Sequence, residues 1–231
     1  MKLKKNKYIA FIFARRGSVG IKNKNLKKIN GKTLVEISID SAKKVFNKNN
    51  IYVSTDSDRI KSIAKQSCVN IINRPAKLSG NNSKEWDAWQ HAIQVVSKRR
   101  DFSTIVSLPA VAPLRSSLDI TNSIKMFDKS KADGAIGINI AKKNPWFNMV
   151  NLTSKRIVRL VNISKRKIYN RQHAPIVYEI NTAIYIMNKN FVMNNSHMFD
   201  GKLIGVKIPF PRNLDIDDQS DLKIARFLMK K

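Results

Sequence analysis

Two short stretches of opposite charge contain the residue types from which a chemical site could be built. The first is a loop that follows an apolar run and contains five basic side chains: Arg15, Arg16, Lys22, Lys24 and Lys27. Its glycines, Gly17 and Gly20, allow backbone N–H groups to approach a ligand closely. Arginine can bind two phosphate oxygens at once, and lysine supplies a mobile charge. This composition indicates a polyphosphate-binding loop, although a solvated basic loop in a basic chain would look the same.

The second stretch is acidic and lies near the C-terminus. Asp215 and Asp217 are two residues apart, so their side chains lie on the same side of an extended segment. Paired carboxylates are oxygen ligands of the kind that Mg²⁺ prefers. Asp218 and Asp221 are typical of the first turn of a helix, where the helix dipole favours negative charge. The alternative is that all four carboxylates form a helix cap.

A regular alternation of strands and helices must position these two stretches. Short apolar runs predict strands at 9–13, 51–54, 69–72, 104–108 and 134–138, and helical spacing predicts helices at 33–46, 58–66, 83–96 and 117–129. Strands that alternate with helices indicate βαβ units and a mainly parallel sheet. We therefore expect a Rossmann-like α/β fold with helices on both faces of the sheet, and one domain spanning residues 1–231.

Local residue types add detail to these elements. Asn30-Gly31 predicts a tight turn. Asp56 follows the second strand, and a capping role for the next helix would account for it. Trp86 and Trp89 lie on adjacent turns of one predicted helix, which indicates core anchors.

The net charge of +28 in 231 residues ordinarily suggests a nucleic-acid or anionic membrane partner. Here the lysines are spread along the whole chain, and no zinc-finger or RNA-recognition pattern occurs. We expect no specific nucleic-acid partner. The single cysteine, Cys68, excludes an intramolecular disulfide and is expected in the core. No apolar stretch has membrane-spanning length, so we expect no membrane association and a cytoplasmic protein.

The order of residues in the basic loop carries a resemblance to a known family. The run Ala14 to Ile21, A-R-R-G-S-V-G-I, is followed by Lys24-Asn25-Leu26, and it matches neither G-x-x-x-x-G-K-[ST] nor G-x-G-x-x-G. It resembles the signature of the CMP-sialic acid synthetases, cytidylyltransferases that activate acidic 2-keto sugars. Val19 stands where that family usually has a lysine, and Arg16 or Lys22 could supply the missing charge.

Further stretches resemble the same family in the same order. These are R-P-A-K-L from Arg74, P-L-R ending at Arg115, N-T-A-I-Y-I from Asn181 and D-I-D-D-Q-S-D-L from Asp215. The turn at 109–112 lacks the glutamine and hydroxyl residues of the family pattern, so recognition of the base or sugar could differ here.

The resemblance implies a nucleotidyltransferase fold that transfers CMP from CTP to a nonulosonic acid, with Mg²⁺ as cofactor. It implies catalytic roles for Arg15, Lys24 and Asp217, and metal ligation by Asp215 and Asp217. The residues implied to bind nucleotide are Arg15, Arg16, Gly17, Ser18, Lys24, Asn25 and Arg74. Those implied to bind the sugar are Arg115, Arg171, Gln172 and Asn181. It also implies that residues 139–177 form an arm that packs on a second subunit of a homodimer.

Other functions remain open from the sequence. The altered turn at 109–112 keeps a related nucleotidyltransferase with another base or sugar in view. Val19 and the missing glutamine permit an inactive homologue. A basic nucleic-acid-binding protein is disfavoured because the charge is dispersed and no binding module occurs.

Overall fold

The structure, a computed structural model, describes residues 7–18 and 20–230, so Val19 lies outside the described residues. Its α-helices are α1 (Leu34–Lys43), α2 (Asp58–Gln66), α3 (Glu85–Ser97), α4 (Ser117–Lys129), α5 (Lys189–Asn194) and α6 (Gln219–Leu228). Its strands are β1 (Tyr8–Phe13), β2 (Lys28–Ile29), β3 (Lys32–Thr33), β4 (Ile51–Thr55), β5 (Asn70–Asn73), β6 (Thr104–Ser107), β7 (Gly134–Ile140), β8 (Val150–Leu152), β9 (Val158–Leu160), β10 (Tyr178–Asn188) and β11 (Leu203–Lys207).

Seven strands form one sheet in the order β11-β7-β10-β6-β1-β4-β5. The strands β6, β1, β4 and β5 are mutually parallel, whereas β10 runs antiparallel to β6. Helices α1 and α2 follow β1 and β4 in the chain, as expected for crossover connections between parallel strands. The predicted α/β class with a mainly parallel sheet is confirmed.

Strand β1 lies between β6 and β4 inside the sheet, and its apolar side chains are buried on both faces. Every residue from Tyr8 to Ile12 is at most 2% exposed. This explains why the sequence shows a continuous apolar run here, without the alternation of a half-exposed strand. On one face Phe13 stacks on Trp89 at 6.1 Å between ring centroids. Trp86 and Trp89 are both buried, so their predicted role as core anchors is confirmed.

Capping and turn residues behave as their chemistry predicts at two places. Asn30 and Gly31 both adopt positive φ, at 47° and 80°, in the hairpin between β2 and β3. Such a pair matches a type I′ turn. The Asp218 carboxylate accepts hydrogen bonds from the N–H groups of Ser220 and Asp221, which forms a capping box at the start of α6. These two aspartates therefore have the helix N-terminal role that the sequence suggests.

Two sequence-based expectations are wrong. Asp56 does not cap α2, because Ser57 is the N-cap residue and the Asp56 carboxylate accepts a hydrogen bond from Arg16 N instead. Cys68 is exposed and not in the core. Helix α2 ends at Gln66, and Cys68 takes a left-handed conformation (φ 54°) just beyond it, which turns its side chain to solvent.

The chain divides into two compact units. One contains the described residues up to Gly137 together with those from Asn181, and the other is residues 138–180. The smaller unit includes the β8–β9 hairpin, in which Leu152 pairs with Val158. The single domain and the dimerisation arm at 139–177 stay predictions. None of the helices in the described part of the chain has the length and hydropathy that a membrane span requires.

Candidate active site

A cavity of about 490 Å³ opens where the carboxyl ends of β1 and β6 lead into loops. This edge is the usual place for ligands in α/β sheets. Arg15, Lys24, Arg74 and Lys84 bring positive charge to its wall, and Glu85 and Asp217 bring negative charge. The remaining lining residues are Phe13, Gly17, Ser18, Gly20, Asn25, Leu78, Gly80, Asn81, Ser83, Ala88, Pro109, Ala110, Val111, Thr182 and Tyr185.

The two neighbouring arginines of the basic loop lie in different places. Arg15 lines the cavity, where its Nη1 donates to the carbonyl of Ser79 and to Oδ1 of Asn81, both at 3.1 Å. Arg16 instead lines a separate pocket of about 290 Å³, together with Lys22. The structure therefore brings Arg15 to the cavity but neither of the cations that could replace a lysine at position 19.

Lys24 and Asn25 connect the basic loop to the rest of the site. Nζ of Lys24 lies 3.0 Å from Oδ1 of Asp217, so the loop and the acidic segment are joined by an ion pair. Asn25 is buried and donates through Nδ2 to the carbonyl of Arg15 at 3.0 Å. Gly17 and Ser18 also line the cavity. The two stretches singled out in the sequence, 193 residues apart at this pair, thus meet in one site.

Gly20 lets the basic loop pack directly on the acidic segment. A Cβ atom at position 20 would overlap the backbone carbonyl of Asp217, which is not a flexible group. At Gly17, by contrast, an added Cβ would meet no atom within 4 Å. The close approach therefore requires glycine at position 20 and not at position 17.

We expect Gly20→Ala to lower the free energy of unfolding by about 2 kcal/mol, because the loop or the acidic segment must shift to admit the methyl group. Gly17→Ala should change it by less than about 1 kcal/mol. Urea denaturation of both variants measures the difference. Equal stability of the two variants would show that the loop does not pack on Asp217 as described.

Asp215 and Asp217 lie close enough for their charges to interact. The side chain of Asp217 is 76% exposed, whereas Asp215 is half-buried. Burial, reinforced by the charge of Asp217, raises the pKa of Asp215 to about 6. Oδ1 of Asp215 is buried and makes no hydrogen bond of normal geometry within the described residues. The Thr182 hydroxyl opposes part of the rise in the Asp215 pKa, and two carboxylates whose charges repel are an environment that a bound cation would stabilise.

The donor set therefore fits Mg²⁺, which binds through one or two carboxylates and takes its other ligands from phosphates and water. No group of three or more His, Cys, Asp or Glu residues that could hold a metal occurs in residues 7–18 and 20–230. A site of two protein carboxylates completed by the substrate is consistent with both observations.

Arg74 forms part of the cavity wall but is held firmly by the sheet. Its Nε donates to Oγ of Ser54 at 3.2 Å and its Nη2 to the Ser54 carbonyl at 3.1 Å. The guanidinium also lies over the Phe13 ring, 5.6 Å from its centroid. Burial lowers the pKa of Arg74 to about 10, so it stays charged at neutral pH. A fixed cation at this place can attract an anionic ligand without having to be ordered first.

Arg115, expected at the sugar site, lies inside the protein and not on the cavity wall. It is 3% exposed, and its Nη1 donates to the carbonyls of Ala183 at 2.7 Å and Pro109 at 3.1 Å. Its Nη2 donates to Oγ of Ser38 at 2.8 Å. Burial lowers its pKa to about 10. Arg115 thus joins β10, α1 and the turn after β6, and the structure does not bring it to the cavity.

We expect Arg115→Ala to lower the free energy of unfolding by about 3 kcal/mol, because two buried acceptors and one half-buried acceptor lose their donor. Thermal and urea unfolding measure this loss. A variant that keeps wild-type stability but loses sugar affinity would instead support the substrate-binding role implied by the sequence.

The other residues expected at the sugar site lie in two different units. Asn181 belongs to the larger unit, is 5% exposed and accepts a hydrogen bond from Ala183 N at 3.2 Å. Arg171 and Gln172 belong to the smaller unit and are exposed, and Nη2 of Arg171 donates to the Lys142 carbonyl at 3.1 Å. None of the three lines the cavity described above, and their roles stay predictions.

Several cavity residues were not identified from the sequence. Glu85 lies on the cavity wall, where solvent reaches it. Nearby protein atoms partly desolvate its carboxyl and raise its pKa. The carboxylate accepts a hydrogen bond from Nε1 of Trp89 at 3.2 Å. Tyr185 also lines the wall, and burial raises the pKa of its hydroxyl. The position of Glu85 at the first residue of α3, just after the arginine-proline loop, was the signal available in the sequence.

The chain resembles known proteins in both sequence and fold. A family model described as cytidylyltransferase matches residues 9–219. The chain is 33% identical over 224 residues to post-translational flagellin modification protein B of Campylobacter coli, covering 95% of this chain and 94% of the relative. It is also 33% identical over 222 residues to the CMP-N,N'-diacetyllegionaminic acid synthase of Campylobacter jejuni, covering 94% and 93% respectively.

Among solved structures, CMP:2-keto-3-deoxy-manno-octonic acid synthetase complexed with CTP is similar to this chain with a TM-score of 0.66. The two are 17% identical, and the similarity covers 96% of this chain and 98% of the other. At this identity the similarity shows a common fold.

Proposed function

This chain belongs to the cytidylyltransferase family, and on that basis we propose that it transfers CMP from CTP to a nonulosonic acid, an acidic 2-keto sugar, and releases pyrophosphate. The observation that carries the proposal is the cavity in which the basic loop meets the acidic segment, with Lys24 bonded to Asp217; Asp215 does not line this cavity. The names of its relatives support an acidic nine-carbon sugar of the legionaminic or sialic type as the acceptor.

The basic loop would bind the triphosphate. Arg15, Lys24 and Arg74 all line the cavity, so an anionic ligand meets three cations. Gly17 and Ser18 leave the backbone accessible to phosphate oxygens. Lys24 can exchange Asp217 for a phosphate oxygen because Asp217 is 76% exposed, so water solvates its carboxylate when the ion pair opens.

Asp215 and Asp217 would hold Mg²⁺, since their charges interact and Asp217 lines the cavity. When bound, the ion would neutralise phosphate charge and lower the pKa of a hydroxyl or water bound to it.

In the reaction itself, the anomeric oxygen of the sugar forms a bond to the α-phosphorus of CTP. The bond between the α-phosphorus and the bridging oxygen breaks, pyrophosphate leaves and the hydroxyl proton passes to solvent. Arg15 and Lys24 would stabilise the negative charge that develops on the transferring and leaving phosphates. Most of the rate increase would come from such positioning and charge stabilisation, because phosphoryl transfer needs little covalent help from the protein.

Pyrophosphate release with Mg²⁺, each of CTP, UTP, ATP and GTP, and a panel of nonulosonic acids tests the proposal. We expect release with CTP and an acidic nine-carbon sugar only. Absence of release together with absence of nucleotide binding would contradict the proposed activity. Release without any added sugar would indicate hydrolysis and would also contradict it.

A second candidate is a related nucleotidyltransferase with another base or sugar. The turn after β6 lines the cavity with Pro109, Ala110 and Val111, none of which has a polar side-chain atom. A base or sugar contacting this turn can be recognised there only through backbone groups and shape. Preferred release with UTP or another nucleotide in the same assay would favour this candidate.

We also propose that the protein acts as a homodimer in the cytoplasm, where CTP is available. The smaller unit carries most of the exposed large apolar side chains in the described part of the chain, including Leu152, Val158, Ile163 and Ile176. Ile163 is 90% exposed. Exposed apolar groups concentrated on one unit are typical of a protein interface, and a second copy of this chain is the partner we propose.

We expect Leu152→Asp to convert the dimer to a monomer, because a charge on this hairpin would have to be desolvated at the interface. Leu118→Asp is the matched control, since Leu118 is similarly exposed (64% against 67%) but lies on α4 of the larger unit. Light scattering coupled to gel filtration measures the mass of each variant. Dimers in both variants, or a monomeric wild type, would contradict the proposal.

A further inference from the structure

The peptide group between Arg15 and Arg16 is bonded to a side chain on each side. The carbonyl of Arg15 accepts from Nδ2 of Asn25 at 3.0 Å, and the N–H of Arg16 donates to Oδ1 of Asp56 at 2.7 Å. Both polar atoms of one loop peptide are thus satisfied by side chains and not by the sheet. The plane of this peptide is therefore fixed in orientation.

The two arginines on either side of this peptide line different pockets. Arg15 precedes the peptide and reaches the cavity of about 490 Å³, whereas Arg16 follows it and reaches the pocket of about 290 Å³. The hydrogen bonds from Asn25 and Asp56 restrict ψ of Arg15 and φ of Arg16, and these two angles set the direction of one Cα–Cβ bond relative to the other.

Asp56 directly follows a strand that hydrogen bonds hold in place on both sides. It follows the last residue of β4, whose carbonyl accepts from Arg74 N at 3.0 Å, and the Ser54 carbonyl accepts from Ala14 N at 3.0 Å. These bonds extend the sheet on both sides of β4 up to Asp56. Its half-buried carboxylate also faces Arg74, and this charge opposes the lowering of the Arg74 pKa by burial.

The charge of Asp56 alone would work against binding. A carboxylate close to a polyphosphate site repels the ligand, and the N-cap position of α2 is occupied by Ser57 and not by Asp56. The hydrogen bond to Arg16 is therefore the contribution that can favour binding.

We propose that Asp56 is a positioning residue for nucleotide binding, which keeps Arg15 turned into the cavity by accepting the Arg16 N–H. The identity of the ligand as CTP rests on the proposed function. The position of the loop in the free protein does not depend on that proposed function.

The test compares Asp56→Ala, which removes the acceptor, with Asp56→Asn, which keeps an oxygen acceptor and removes the charge. We expect Asp56→Ala to weaken CTP binding by about tenfold, the effect of losing one hydrogen bond to a charged group. Asp56→Asn should bind within about threefold of wild type or more tightly. Asp58→Ala is the control, because Asp58 lies two residues away, is 95% exposed and forms an ion pair with Lys61. Isothermal titration calorimetry measures all four proteins.

A second measurement needs no ligand. Hydrogen–deuterium exchange of the nucleotide-free protein should show about tenfold faster exchange of the Arg16 amide in Asp56→Ala but not in Asp56→Asn. If Asp56→Ala does not fold, Asp56→Ser replaces it, since its shorter side chain also withdraws the acceptor.

The outcomes separate this inference from the proposed function. Unchanged CTP affinity in Asp56→Ala, or equal losses in the alanine and asparagine variants, would overturn the positioning role. A wild-type protein that does not bind CTP would overturn the proposed function, and in that case the exchange of the Arg16 amide still decides whether Asp56 fixes the loop.

Discussion

Asp217→Asn is expected to reduce the rate of pyrophosphate release at saturating substrates by at least about 100-fold. The substitution removes the exposed carboxylate of the pair that we propose to hold Mg²⁺ and leaves Asp215 without its neighbour. Stability should change by less than about 1 kcal/mol, because the ion pair with Lys24 is largely exposed on the Asp217 side. The loss should therefore appear in catalysis and not in folding.

Asp218→Asn is the matched control for this prediction. Asp218 is adjacent and also carries a carboxylate, but this carboxylate caps α6, and asparagine is an equally good N-cap residue. We expect it to keep activity within about twofold of wild type. Similar losses in both variants would mean that general negative charge in this segment, and not the Asp217 carboxylate, supports the reaction.

Lys24→Ala is expected to lower kcat/KM for CTP by about 100-fold. Lys24 lines the cavity, and its side chain is only 16% exposed, so its charge acts where water screens it little. A charge-assisted contact to a phosphate that strengthens in the transition state accounts for a loss of this size. Initial rates of pyrophosphate release at varied CTP concentration measure it.

Lys22→Ala removes the same charge two residues earlier in the same loop. Lys22 is exposed and lines the separate pocket with Arg16. We expect a change in kcat/KM of less than about threefold. If Lys22→Ala were as damaging as Lys24→Ala, the loop would act through its total charge, and the position of Lys24 beside Asp217 would have no special importance.

The alternation of apolar runs with helical periodicity determined the architecture from the sequence. Helices α2 and α4 begin and end at the predicted residues, 58–66 and 117–129. Both have a strong local signal, because a polar residue precedes a periodic apolar stretch. The continuous apolar run in β1 likewise indicates a strand that is buried on both faces of the sheet, as the structure shows. The family was also accessible from the sequence, since its signature depends on the order of residue types.

The direction of individual charged side chains was decided only by the tertiary structure. Arg15 and Arg16 are chemically identical neighbours, yet only Arg15 lines the cavity, and the peptide between them is bonded to Asn25 and to Asp56, 40 residues from Arg16. Arg115 matches a family motif, yet acceptors on Ser38 and Ala183 hold it inside the protein. Residue type and spacing report what a side chain can bind. The partner that it does bind depends on long-range packing, because buried charges lie where their hydrogen bonds can be satisfied.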